Sequence, residues 1–284
     1  MLKSEVSVQN SKLSDALQAM QNKGLDRLDA QMLLLYALQK STSDRAWLMS
    51  HDTDVLTLAQ QQTLDEHIQR RLAGEPVAYI VGTKEFFGLN LSVTSDVLVP
   101  RPDTEVLVEW ALDVLPLTST FVLDLGTGSG AIGLAIKHNR SHADITLVDA
   151  SQSALDVALG NAISLGLVVH GLQGNWFESV PPSERFDLIV SNPPYIADGD
   201  AHLGALEHEP LMALTSGTDG LDAIRRIIQG APQHLNQGGW LLLEHGYDQA
   251  AAVRDLLNRQ GFLNVVSRLD LNGIERCSGG QLLN

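Results

Sequence analysis

Three shortages frame this sequence: one cysteine in 284 residues, aromatic side chains at only 5%, and no proline before position 76. The single Cys277 excludes an internal disulfide and matches no metal-ligand spacing, so no metal site is expected and a reducing compartment suits the chain. No apolar run approaches the length needed to span a membrane, and the start, Met1 to Val6, lacks the apolar core of a signal peptide. A soluble cytoplasmic protein, acting as a monomer and without membrane partners, is the expectation. Cations are scarce as well: 19 Lys and Arg stand against 34 Asp and Glu, a formal net charge of −15, of which residues 1–76 hold only −2. A field of that sign repels phosphate backbones and favours basic partners, so direct nucleic-acid binding is not expected. What is abundant is core material, with 44% hydrophobic residues, enough for one large domain or two smaller ones.

Residues 11–74 carry almost no helix breaker and place apolar side chains at helical spacing, as in Leu25, Leu28, Met32 and Leu35, then Leu64, Ile68 and Leu72. This reads as a small helical bundle over 1–76. It would be a packed cap or, more sharply, a substrate-recognition domain. Ser41 to Asp44 supplies N-cap candidates and Gly74-Glu75-Pro76 closes the last helix. From 77 to 100 the pattern becomes alternating and β-branched, in Ala78 to Gly82 and Leu89 to Val93 around Gly88, which predicts a β-hairpin linker. Pro100 to Glu105 then stops the strand and opens a helix with an acidic first turn, as its dipole prefers.

The chemistry begins at Phe121 to Leu125, an apolar strand running into Gly126-Thr127-Gly128-Ser129-Gly130 and a helix from Ala131. The glycines allow a tight turn and close approach of a ligand to the backbone, and the free N–H groups at the helix start favour polar or anionic oxygen. A second strand, Ile145 to Val148, ends in Asp149, where a carboxylate would receive two ribose hydroxyls. A third ends near Asn175 and Trp176, suited to an adenine amine and ring. Gly126, Gly128 and Ala131 also satisfy the dinucleotide pattern, so NAD competes; Asp124, two residues before the first glycine, better suits a cofactor with a cationic amino group, such as S-adenosylmethionine.

Phe186 to Val190 predicts a further buried strand, followed by Asn192-Pro193-Pro194-Tyr195. Two prolines end the strand and stiffen the turn. The Asn192 side-chain oxygen and the Pro193 carbonyl can then accept both N–H bonds of one planar nitrogen, an amide or a base amine, with the Tyr195 ring as a flat wall. Later segments continue the alternation: a helix over 221–235, a strand at Trp240 to Glu244, a helix from Ala250 to Asn258, and terminal strands forming an antiparallel edge. Between 196 and 220 lies a polar loop whose His202, Glu207, His208 and Glu209 fit no metal spacing; a solvated lid is expected there.

On Gly74 to Ile80, Val99 to Glu105, Asp124 to Gly130 and Asn192 to Tyr195, the chain resembles the bacterial release factor glutamine methyltransferases, the PrmC or HemK family. The resemblance covers nearly the whole length. It implies a class I methyltransferase, α/β with a Rossmann-like seven-stranded sheet over 101–284, behind the helical domain and hairpin linker. It also implies methylation of the glutamine N5 in the Gly-Gly-Gln motif of class 1 peptide-chain release factors, with S-adenosylmethionine consumed and S-adenosylhomocysteine released. Asp124, Gly126, Thr127, Gly128, Ser129 and Gly130 would hold the cofactor, with Asp149, Asn175, Trp176 and Asn192. Asn192, Pro193, Pro194 and Tyr195 would hold the glutamine. Asn175 departs from the family's usual aspartate, the stretch 202–210 looks short, and the terminal Glu275 to Gln281 is atypical. The alternatives are a glutamine methyltransferase acting on a ribosomal protein, an adenine N6-methyltransferase of nucleic acid, a dehydrogenase, and a non-catalytic cofactor-binding scaffold.

Overall fold

The computed structural model describes residues 11–283; Met1 to Val6, read above for a leader, lies outside them. The chain divides into two compact units at Gly82/Thr83.

The first unit is helical: α1 (Leu13–Asn22), α2 (Arg27–Ala37), α3 (Arg45–Ser50), α4 (Leu58–Leu72) and α5 (Val77–Val81). Its core gathers Leu13, Met20, Leu33, Leu34, Leu35, Leu64 and Ile68. Leu28 and Leu72 of the expected apolar stripe are instead exposed, so α2 turns Ala30, Leu33 and Leu34 inward. Helix α4 starts with a reciprocal cap, Gln60 N–H donating to Thr57 Oγ1 over 3.3 Å and Thr57 N–H to Gln60 Oε1 over 2.9 Å, a pairing of about 1 kcal/mol. Asp44 takes the N-cap position of α3 without a side-chain cap bond.

The run Ala78 to Gly82 corrects the sequence reading. It forms α5, not a hairpin strand, because Pro76 sets the N-cap, Gly82 at φ +75° supplies a left-handed C-cap, and Val77, Ile80 and Val81 find burial in the helical core. The hairpin is shorter and later: β1 (Thr83–Phe86) and β2 (Leu89–Ser92), antiparallel, with Phe86, Leu89 and Leu91 buried in the core of the second unit. After it come a 3-10 turn at Pro102–Thr104 and α6 (Glu105–Val114).

The second unit then alternates: β3 (Thr120–Leu125), α7 (Ala131–Asn139), β4 (Ala143–Asp149), α8 (Gln152–Ser164), β5 (His170–Gln173), β6 (Phe186–Ser191), α9 (Asp222–Gly230), β7 (Leu235–Glu244), α10 (Ala250–Arg259), β8 (Leu263–Leu269) and β9 (Glu275–Gln281). Its seven-stranded sheet runs β5-β4-β3-β6-β7-β9-β8, five parallel strands closed by the antiparallel β9 and β8. The buried faces of β3, β4, β6 and β7 carry Val, Leu and Ile at essentially zero exposure, two apolar clusters on opposite sides. In β9, Gly279 and Gly280 are demanded by packing: a Cβ on Gly279 would stand 2.5 Å from Leu242 Cδ2, and one on Gly280 2.8 Å from Phe262 Cβ. The strand order reverses between β3 and β6, whose carboxyl ends therefore open a crevice, the place where an open α/β sheet binds ligands.

Candidate functional site

The crevice is a cleft in the second unit, and the loop after β3 forms its floor. Gly126, Gly128 and Gly130 all have positive φ, +69°, +54° and +84°, a path that L side chains rarely follow. The loop is fastened from three sides. Gly128 N–H donates to Asp149 Oδ2 over 2.8 Å, Asn161 Nδ2 on α8 donates to Ser129 O over 2.9 Å, and Thr127 Oγ1 donates to Asp124 Oδ2 over 2.7 Å. Asn161 also exchanges hydrogen bonds with Ser92 N and O, which docks the hairpin end beside the loop.

Gly126, Thr127, Gly128, Ser129, Asp149, Asn175, Trp176, Asn192 and Pro194 line the cleft together. Asp124, Gly130, Pro193 and Tyr195 do not. Asp124 is fully buried behind the loop, its Oδ2 bonded to Thr127 Oγ1 and Gly133 N–H, its Oδ1 without a partner among the described residues. Burial pushes its pKa up to about 6 against those two hydrogen bonds. Asp124 thus organises the turn from beneath. Gly133, which the motif reading passed over, lets α7 approach the sheet: a Cβ there would lie 2.4 Å from Leu147 Cδ2 and 3.0 Å from Asp124 Oδ2.

Asp149 accepts from Gly128 N–H and Ser151 N–H on its two oxygens, at 2.8 and 2.9 Å, so the carboxylate plane is fixed and its remaining lone pairs suit two vicinal hydroxyls. Burial raises its pKa and the backbone donors oppose the shift. Trp176 sits at φ +56°, rare for a bulky residue, and its ring lies where a Cβ on Gly126 would meet it at 3.4 Å. The strained backbone thus sets an aromatic plane beside the loop. The Asn175 side chain hydrogen-bonds to no described residue.

At the other strand end Ser191 Oγ donates to Leu125 O over 2.7 Å, stitching β6 to β3 one residue before Asn192. Asn192 Nδ2 donates to Thr104 Oγ1 over 3.2 Å, so its Oδ1 is left for the cleft, and among the described residues nothing donates to the Pro193 carbonyl. Tyr195 packs partly buried against the apolar cluster of β6, β7 and α9, and its hydroxyl donates to Glu244 Oε1 over 3.3 Å. Burial pushes the Tyr195 pKa far up, so the hydroxyl keeps its proton. The ring is an anchor of the turn before it is a wall.

The loop 196–220 is only partly the solvated lid the sequence suggests. Pro210, Met212 and Ala213 line the cleft, and Glu209, 3% exposed at its side chain, pairs with Arg101 and accepts Val99 N–H over 3.2 Å. No group of three metal-ligating side chains occurs among the described residues.

Residues 102–209 match the family model of the methyltransferase small domain, and 12–82 match that of the PrmC N-terminal domain. A Bordetella pertussis protein named release factor glutamine methyltransferase is 52% identical over 262 residues, 91% of this chain and 96% of that one. The chain belongs to the release factor glutamine methyltransferase family. A Coxiella burnetii member is 48% identical across 88% of this chain and 90% of its own. Among solved structures, the Thermus thermophilus 16S rRNA N2 methyltransferase RsmC, in complex with AdoMet and guanosine, superposes with a TM-score of 0.53 at 19% identity, covering 70% of this chain and 49% of that one; the likeness is one of fold.

In this release factor glutamine methyltransferase, the geometry gives the motif Val99 to Glu105 a structural meaning that its sequence alone did not. Arg101 and Thr104 both line the cleft, one held by Glu209 and the other holding Asn192. The roles of Thr104, Glu244, Asn161, Ser191, Glu209 and Gly133 are what sequence reasoning missed. For Gly133 the signal was present, a glycine inside a helix that costs about 1 kcal/mol unless close packing requires it.

Proposed function

We propose that this methyltransferase moves the methyl group of S-adenosylmethionine to the side-chain N5 of the glutamine in the Gly-Gly-Gln motif of class 1 peptide-chain release factors. The observation that carries the reading is the arrangement of Asn192: its Nδ2 is committed to Thr104, so its Oδ1 stands, with the Pro193 carbonyl next in the chain, at the carboxyl end of β6 beside the glycine loop. Two acceptors suit the two N–H bonds of a carboxamide.

The residues present fit S-adenosylmethionine. Asp149, with both oxygens oriented by backbone donors, suits the ribose; Asn175 and the Trp176 ring suit adenine; Asp124, fully buried outside the cleft, acts through the turn it fastens. Asn175 accepts from an amine as the usual aspartate would. When bound, the cofactor supplies an electrophilic methyl group.

The chain's own contribution is to hold an otherwise poor nucleophile. An amide nitrogen shares its lone pair with its carbonyl, and hydrogen bonds from both N–H groups to Asn192 Oδ1 and Pro193 O return electron density to nitrogen while fixing its direction. Pro193 and Pro194 keep that corner stiff. The scheme uses no general base, and the surplus proton passes to water.

The helical unit is assigned to substrate recognition, and the chain to the cytoplasm as a monomer. An acidic enzyme attracts a basic release factor, so encounter weakens with salt. No helix among the described residues is long and apolar enough to cross a membrane. The test incubates the protein with labelled S-adenosylmethionine and, separately, a release factor, ribosomal proteins, DNA and RNA, then maps the modified residue by mass. Label on the Gly-Gly-Gln glutamine is expected; label confined to any other substrate overturns the reading.

A further inference from the structure

The far end of the Asn192–Tyr195 turn is fastened by a side chain from the next strand's exit. Gln249 stands between β7 and α10, at the N-cap of α10. Its Nε2 donates to Tyr195 O over 3.0 Å and to Asp219 O over 3.3 Å, while its Oε1 accepts Gly246 N–H over 2.8 Å. Among the described residues nothing else donates to either carbonyl. The two carbonyls bracket the loop 196–218, so one amide closes both of its stems, and that loop carries Pro210, Met212 and Ala213 to the cleft. Gly220 makes room for the meeting: it sits at φ +73°, and a Cβ there would stand 2.2 Å from Tyr195 O and 2.8 Å from Gln249 Nε2.

All three partners are backbone groups whose roles are fixed: an N–H only donates and a carbonyl only accepts. The Gln249 amide therefore has one orientation, oxygen toward Gly246 and nitrogen toward the loop stems. The near end of the turn is held as well, by Ser191 Oγ donating to Leu125 O and Asn192 Nδ2 donating to Thr104 Oγ1. Between these anchors Pro193 and Pro194 each lock one φ. A four-residue turn tied at both ends, with two torsions fixed, has little freedom to re-aim the Pro193 carbonyl.

We propose that Gln249 is a positioning residue for methyl transfer: by donating to Tyr195 O and Asp219 O at once, it holds the Asn192–Tyr195 corner and the 196–218 loop in one fixed relation, so that the corner keeps its aim on the substrate amide. The inference rests on the proposed function for what that corner binds. Gln249 does not itself line the cleft. Its loss therefore reaches turnover through the corner and leaves Gly128, Asp149 and Trp176, the residues proposed to hold the cofactor, in place.

The test compares Gln249→Met, which fills the same space without the amide, with Gln249→Glu, which keeps the shape and the acceptor for Gly246 but at about pH 8 sets a carboxylate against two carbonyls. If donation to the carbonyls is the role, glutamate is the worse substitute; if the residue only fills space or braces Gly246, glutamate is the better one. On a release factor, kcat is expected to fall about tenfold in Gln249→Met and about a hundredfold in Gln249→Glu, with S-adenosylmethionine Kd and binding stoichiometry within about twofold of the parent. Gln249→Glu as fast as Gln249→Met or faster, either variant within about threefold of the parental kcat, or an affinity loss matching the kcat loss overturns the clamp. Parental protein that labels no release factor overturns the proposed function instead. The clamp is then read from limited proteolysis within 198–218, where both variants should be cut about tenfold faster than the parent, and equal rates sink it.

Discussion

Gly128 gives its backbone N–H to Asp149 Oδ2 across 2.8 Å, so the turn that floors the cleft and the acid at the next strand end are one hydrogen-bonded piece. Asp149→Ala removes both the proposed acceptor for two ligand hydroxyls and the strap on the loop. Hydrogen bonds to a charged group contribute about 1.5–3 kcal/mol. The expected result is S-adenosylmethionine affinity weakened about 10- to 100-fold, with Asp149→Asn intermediate. Calorimetry checks it, and an unchanged Kd would remove Asp149 from the binding role.

Two glycines of one segment should fail in different ways. At Gly133 a Cβ would overlap Leu147, so Gly133→Ala is expected to cost about 1–3 kcal/mol of stability, read as a lower denaturation midpoint. At Gly128 a Cβ meets nothing within 4 Å but the φ is +54°, and the added methyl would project from the cleft lining toward the proposed ligand. Gly128→Ala should cost only about 1 kcal/mol of folding and lose cofactor affinity. Reversal of the two phenotypes would mean the helix approach and the ligand approach have been exchanged.

Glu209 ties the loop after Tyr195 to Val99 and Arg101, which flank the cleft. Arg101 is 40% exposed at its side chain, so solvent screens much of the pair, while the buried Val99 N–H loses its only described acceptor. Glu209→Ala should therefore lower global stability by about 1–2 kcal/mol yet speed proteolysis within 198–220 by tenfold or more. Limited proteolysis at matched temperature decides; a cleavage rate equal to the parent's would make the clamp dispensable.

Two buried carboxyls give stability an unusual pH sign. Asp124 at about 6 and Glu244 at about 7 both lie above the ordinary carboxylate value near 4, so the native state binds protons more tightly than the unfolded chain between those limits. Their ionisation therefore costs stability as pH rises from about 4 to 7, on the order of 3 kcal/mol for each at most. Buried His67, His234 and His245, with lowered pKa values, act in the opposite sense. The difference between parent and Glu244→Gln isolates one carboxyl: the variant's urea midpoint should gain on the parent's as pH rises. A constant difference across the range would refute the shift.

What the sequence disclosed was contiguous. Gly126 to Gly130, Asp149 and Asn192 each stand where a strand ends, and strand ends are visible as apolar runs meeting glycine, acid or proline. The five-residue α5 was hidden because a β-branched run reads alike as strand or helix, and only the burial of Val77, Ile80 and Val81 among helices decides between them. Thr104 and Glu244 were hidden for another reason. Glu244 takes its place from the pairing of Ser191 with Leu243, and Thr104 from its hydrogen bond to Asn192; both join segments far apart in the chain and leave no local mark. Tyr195 shows the converse: its aromatic character was legible, but its first duty, filling space beside β7, was not.

The last strand carries a Gly-Gly-Gln of its own, and its setting matters if that tripeptide is, as proposed, what the enzyme seeks. Gly279 and Gln281 are paired on both flanks, by β7 and β8, Gly280 is paired with β7, and the Gln281 carboxamide is occupied at both ends, its Nε2 donating to Gly238 O and its Oε1 accepting from Asn264 Nδ2. A copy with intact edges is therefore invisible to its neighbours as bait. Methyl found on Gln281 would be a scar left by molecules whose sheet had come apart.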